Sequence, residues 1–175
     1  MTGEQMRCYV AFLRGINVGG NAILPMKELR TICGELGFHQ VSTYIQSGNV
    51  LLKSTLTEDL VVKKLETALN DKMGKHISVV VRTADELAIV LTNNPFPQAE
   101  PAKVGVMIFA LPVQKSFLSA VSSSTGEELR VSEREVYIHY PSGMGSSKLK
   151  LPEQAREGTV RNINTIRKII ELCNA

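Results

Sequence analysis

The strongest constraint on this chain is the order in which its hydrophobic period changes between Arg7 and Arg82. Residues 7–14, RCYVAFLR, are apolar on both faces, the pattern of a central strand. A Gly/Asn-rich stretch, GINVGGNAILP, fills residues 15–25. Met26, Leu29, Ile32, Cys33 and Leu36 then recur at helical spacing, with Pro25 suited to the helix start and Gly37 to its end. In residues 41–54, VSTYIQ and NVLLKS flank Ser47-Gly48, which predicts a hairpin with a two-residue turn. That turn opposes Gln46 to Asn49, Ile45 to Val50, Tyr44 to Leu51 and Thr43 to Leu52. Thr57 is placed to cap a second helix with Val61, Leu65, Ala68 and Leu69 inward and Gly74 at its end, and ISVVVR at 77–82 is the next strand. The order is βαββαβ, the split arrangement called ferredoxin-like.

Past Arg82 the plan begins again, less regularly. Thr83-Ala84-Asp85-Glu86 is a capping box opening a short helix to about Leu91, and NNPFPQAEP breaks it. Val104 to Ala110 reads as a strand, and Val113, Phe117 and Val121 mark a helix. Residues 127–132 and 135–140 make a second hairpin around Glu133-Arg134. After the Gly/Ser loop PSGMGSS, Ile163, Ile166, Ile170 and Cys173 recur on the core face of a C-terminal helix, with no obvious final strand before it. The expectation is an α+β protein: a ferredoxin-like unit over 7–82, a helix and connector over 83–103, and a related, degenerate second α+β unit over 104–175. The first strand's two apolar faces, with Tyr44 and Leu51, further imply that the helix-free face of the first sheet is covered.

With 43% apolar residues the chain can fill a core. Its charge alternates along the sequence, +3 over 1–82, −3 over 83–141 and +3 over 142–175, so no basic arm or stripe runs through it. Cys8, Cys33 and Cys173 show no CxxC spacing and fall in apolar-periodic segments, which suits reduced thiols in a cytoplasmic protein. His39, His76 and His139 are scattered, so neither a metal nor a cofactor is expected. Met1–Gln5 is polar and Cys8–Leu13 is short, unlike a signal peptide or a membrane span.

Three polar stretches are candidates for function. Gly15 to Gly20 has the glycine spacing of a phosphate loop, but Asn21 and Ala22 stand where its Lys and hydroxyl would be, so that motif is rejected. What remains is Arg14 at a strand end with Asn17, Gly19 and Gly20 after it. In a βαββαβ plan this loop shares one end of the sheet with the hairpin turn, which brings Gln46, Ser47, Gly48 and Asn49 beside it. The cluster is either a polar-ligand cradle or a loop braced by its own amides. Near the C-terminus, Ser147 and Lys148 follow two glycines. Arg161 and Asn162 open the last helix, either as an anion site or, for Asn162, as a plain N-cap.

YVAFLRGINVGG, the following Pro-Met-x-x-Leu, ELGF, TYIQSGNV, SKL and TVRNINT together closely resemble the bacterial family known as domain of unknown function 1697, from about Tyr9 to Ile170. The resemblance implies a soluble bacterial α+β protein. Its recurrent polar positions fall on Arg14, Asn17, Gly19, Gly20, Tyr44, Gln46, Ser47, Gly48, Asn49, Ser147, Lys148, Arg161 and Asn162. Family members carry Trp where this chain has Ile163.

Four functions compete on these residues. The first is binding of a small anionic or phosphorylated ligand in the cradle. The second is an enzyme in which Arg14, Lys148 or Arg161 stabilises developing negative charge. A nucleic-acid binder ranks third, because aromatics are only 5% of the chain, Trp is absent, and NVLLK stands where an RNA-recognition sheet carries aromatics. The last is a ligand-free interaction domain, monomer or homodimer.

Overall fold

The structure is a computed structural model describing residues 4–17, 23–45, 48–123 and 125–175. It is mixed α+β, with two four-stranded antiparallel sheets and four α-helices among the described residues. The chain divides into two compact units, Met1–Leu87 with Ile169–Ala175, and Ala88–Lys168.

In the first unit β1 (Arg7–Leu13), α1 (Met26–Glu35), β2 (His39–Tyr44), β3 (Asn49–Ser54), α2 (Glu58–Met73) and β4 (Val79–Thr83) follow the expected order. The sheet order is β2-β3-β1-β4, which places the doubly apolar strand in the interior. Tyr9, Ala11 and Leu13 face the helices and pack with Leu29 and Cys33 of α1 and Val61, Leu65 and Leu69 of α2. The alternate side chains Val10 and Phe12, with Leu51 and Val80, are buried too, so the helix-free face is a second core face. Asn70, in the last turn of α2, accepts from the Ile77 N–H at 2.8 Å and receives the Gly74 N–H on its carbonyl, so one residue closes the helix and aims β4.

The hairpin register departs from the prediction. Tyr44 opposes Asn49, Thr43 opposes Val50 and Ser42 opposes Leu51. Tyr44 thus stands opposite Asn49, the place the prediction gave to Gln46, and Gln46 and Ser47 lie outside the described residues. The slip is two residues, and because strand side chains alternate with a period of two, Val50 and Leu52 still reach the helix side.

The cysteines also depart from expectation. Cys33 is a buried free thiol, but Cys8 and Cys173 form a disulfide with their Cα atoms 6.2 Å apart. It ties the end of the last helix, α4 (Ile163–Asn174), to β1.

The helix α3 (Ala84–Thr92) opens on the predicted capping box: Thr83 N–H donates to Glu86 Oε2 at 2.8 Å and Glu86 N–H to Thr83 Oγ1 at 3.2 Å. No described helix is long and apolar enough to cross a membrane.

The second unit contains β5 (Val104–Ile108), β6 (Glu128–Val131), β7 (Glu135–His139) and β8 (Thr159–Asn162), in the order β6-β7-β5-β8. This repeats the spatial order of the first sheet. The strand that the sequence hid is β8. It is four residues long and runs straight into α4, so its period merges with that of the helix. The helix expected around Val113, Phe117 and Val121 is only a 3₁₀ turn, Leu118–Ala120. There Ser119 Oγ donates to the Ser116 carbonyl at 2.7 Å, a local side-chain bond of the kind that competes with helix growth. Phe117 is nevertheless buried, edge-on to Phe109 with ring centroids 6.0 Å apart.

Candidate functional site

At the end of β1 in the first unit, two loops meet. Leu13 N–H donates to the Gly48 carbonyl at 2.9 Å, and Arg14 N–H donates to the Ser78 carbonyl at 3.0 Å. Arg14 therefore leaves the sheet between the β2–β3 turn and the start of β4, and it is half-buried there. Asn49 pairs with Phe12. Arg14 lies two residues beyond Phe12, so its Cα is about 8 Å from that of Asn49, from ~3.3 Å per strand residue and ~5 Å between strands. Gly48 packs so closely that an added Cβ would lie 3.1 Å from both the Cβ and the carbonyl oxygen of Leu13.

The backbone at this end is unusually bent. Gly15 (φ 75), Asn17 (φ 55), Ile45 (φ 51) and Gly48 (φ 79) are all left-handed. For a β-branched residue such as Ile45 this is a costly conformation, and its side chain is 51% exposed rather than buried as recompense. Asn17 uses both ends of its amide on Leu24, donating to the carbonyl at 3.0 Å and accepting from the N–H at 2.8 Å. Asn49 Nδ2 donates to the Tyr44 carbonyl at 3.0 Å, across the turn. These two amides brace the loops that present Arg14. Tyr44 is half-buried beside Asn49. Gly19, Gly20, Gln46 and Ser47 lie outside the described residues.

The C-terminal candidates form separate groups in the second unit. Ser147 does not stand alone: its hydroxyl donates to Glu127 at 2.7 Å. Ser123 donates to the same carboxylate at 2.5 Å, and Thr125 donates to it as well. The hydroxyls of Ser123, Thr125 and Ser147, in that order, pull the Glu127 carboxyl down to about 2, so it is ionised at neutral pH and a weak base. Tyr140 is pushed up to about 12 by burial and by the Glu127 charge. This carboxylate hub went unnoticed in the sequence. The signal available was the density of hydroxyls in SSSTGE just before it.

Lys148 is exposed. Arg161 opposes Val106 in the sheet and is buried, with its guanidinium donating to Thr159 Oγ1 at 2.6 Å and the Val160 carbonyl at 3.0 Å. Burial lowers its pKa to about 10, leaving it charged at neutral pH. Asn162 accepts the Thr165 N–H at 2.8 Å, which makes it the N-cap of α4. Among the described residues no group of His, Cys, Asp and Glu has the arrangement of a metal site.

At the end of β1, Arg14 stands among loops braced by Asn17 and Asn49. Among solved structures, the chain is similar to that of the conserved bacterial protein SP0830 from Streptococcus pneumoniae, with a TM-score of 0.79, 23% identity, and coverage of 97% of this chain and 99% of that one. At that identity the likeness speaks for the fold. No curated protein matches the sequence. Residues 6–137 match the family described as "Protein of unknown function (DUF1697)", and the chain belongs to that family.

Proposed function

We propose that the protein binds a small anionic or phosphorylated ligand at the end of the first sheet, with Arg14 as its principal charge. The observation that carries this is the Leu13–Gly48 hydrogen bond, which holds the exit of β1 against the β2–β3 turn with Arg14 the next residue on. Arg is charged at any physiological pH, and its fork of N–H donors matches carboxylate and phosphate oxygens. Left-handed residues stand in both loops, a backbone conformation from which anion-binding turns are built. Gly19, Gly20, Gln46 and Ser47 belong to the same loops by sequence and complete the proposed cradle. The shared strand order of the two sheets supports reading the first as a ferredoxin-like unit and the second as a related, degenerate one. The setting we assign is the bacterial cytoplasm, with nucleic acid disfavoured as a ligand by the alternating charge and the scarcity of aromatics.

The test is a thermal-shift panel of inorganic phosphate, sugar phosphates, nucleotides, dicarboxylates and a random oligonucleotide, on the wild type and Arg14→Ala. A ligand at a hundred times its dissociation constant adds about 2.7 kcal/mol. For a chain of this size that is about 5–10 °C, at roughly 2–4 °C per kcal/mol. The expected result is a shift with one phosphorylated or carboxylated class that Arg14→Ala abolishes while leaving the unliganded melting temperature nearly unchanged. No shift with any anion, or an Arg14→Ala variant that melts early yet still responds to ligand, overturns the proposal.

A further inference from the structure

We infer that Cys8 is a site of thiol–disulfide exchange with a small-molecule thiol, reached through a cleft in the first unit beside β1 and the start of α3. The cleft has a volume of about 420 Å³, and its walls include Arg7, Cys8, Thr83, Ala84, Asp85 and Asn174. Of the two bonded cysteines, Cys8 is half-buried and lines the cleft, while Cys173 is 8% exposed. The cleft therefore reaches the disulfide from the Cys8 side. Exchange rates depend on which sulfur an incoming thiolate reaches, and here that sulfur belongs to Cys8.

The surroundings favour the chemistry. Thr83 pairs with Tyr9 across the sheet, so the first turn of α3 opens next to Cys8. Arg7 places a full positive charge at the rim, which attracts an incoming thiolate. Asp85 sits at the same rim and opposes this in part. Cys33, the remaining thiol, does not compete, because it is fully buried in the core between the sheet and α1.

The step balances without any other reactant. A thiolate attacks Cys8 Sγ, and its electron pair forms the new S–S bond. The Cys8–Cys173 bond breaks, and its pair leaves on Cys173 Sγ, which takes up a proton. A second molecule of the same thiol attacks its partner's sulfur in the mixed disulfide and releases Cys8 as a thiol. Two small thiols are oxidised to their disulfide and the protein disulfide is reduced. Opening the bond unfastens the last turn of α4 from β1. A disulfide in a reducing compartment is usually transient or sensing rather than structural, which is the role this accessibility fits.

The test uses the full-length oxidised protein and reduced glutathione, with acid quenching, alkylation and peptide mass mapping. In the wild type, glutathione is expected to open the bond under native conditions through a transient adduct on Cys8. In Cys173→Ser the adduct should accumulate on Cys8, and in Cys8→Ser none should form on Cys173 or Cys33. The wild-type arm decides the question even where a variant fails to fold. Adducts on Cys173 or Cys33 in the native wild type would overturn the inference. So would a bond that glutathione opens only in urea, or free Cys8 and Cys173 thiols in protein purified without reductant. None of these readouts depends on anion binding at Arg14.

Discussion

Replacing Gly48 by Ala probes the contact that holds the candidate site together. At φ 79 an alanine is in the left-handed region, which costs about 1–2 kcal/mol for an L-residue. The new Cβ would also lie 3.1 Å from Leu13 Cβ, 3.1 Å from the Leu13 carbonyl oxygen and 3.2 Å from Ile16 Cδ1. Two of those atoms ride on the main chain of β1, and that strand is bonded to Gly48 through Leu13 N–H at 2.9 Å. Relief therefore stretches a hydrogen bond whose net worth is about 1 kcal/mol. The total is about 2–3 kcal/mol, or about 4–12 °C at roughly 2–4 °C per kcal/mol. Gly15→Ala is the internal control: it has the same left-handed geometry, φ 75, at the same sheet end, but nothing lies within 4 Å of its added Cβ. It should lose only the conformational part, about 1–2 kcal/mol. Urea unfolding followed by circular dichroism, with m-values held equal, reads both variants. If Gly48→Ala is no more destabilising than Gly15→Ala, the turn is not clamped onto β1 and the loops around Arg14 are not held as one site.

Two further outcomes follow from the polar groups. Asn17→Ala removes both bonds to the buried Leu24 backbone and should cost about 1–3 kcal/mol. Asn17→Gly, which keeps the left-handed backbone easy, should cost less, and identical melting of the wild type and Asn17→Ala would show that the amide braces nothing. Glu127 has a folded pKa of about 2, below its ordinary 4.5, so its contribution to stability is complete above about pH 4.5 and is lost as pH falls towards 2. Urea midpoints across that window should therefore fall in the wild type, with Glu127→Gln starting lower at neutral pH and converging on it as the carboxylate is protonated. A gap between the two that stays constant with pH would mean the three hydroxyls do not hold the charged form.

Much of the fold was legible because it rests on local periodicity. The apolar double face of residues 7–13, the Leu29/Cys33 and Val61/Leu65/Leu69 stripes, and the Thr83–Glu86 box each involve residues close in sequence, and each appears as expected. Prediction failed where local signals were ambiguous. Val113, Phe117 and Val121 keep helical spacing, yet the Ser-rich segment makes only a 3₁₀ turn, because burying Phe117 against Phe109 needs no helix. The tetrapeptide β8 carries too few residues to show a period of its own beside α4.

The site was half legible. Strand direction alone puts the β1 exit and the β2–β3 turn at one sheet end, and residue type alone picks Arg14 and the amides. The sequence by itself determined the strands and helices of the first unit and which of their faces are apolar, because those depend on neighbours within a turn or a pleat. The tertiary structure alone decided the hairpin register, the Glu127 hydroxyl hub joined by Ser147 from 20 residues on, and the Cys8–Cys173 bond across 165 residues. Such contacts form between groups that only the completed fold brings together, so their energies leave no local period in the chain.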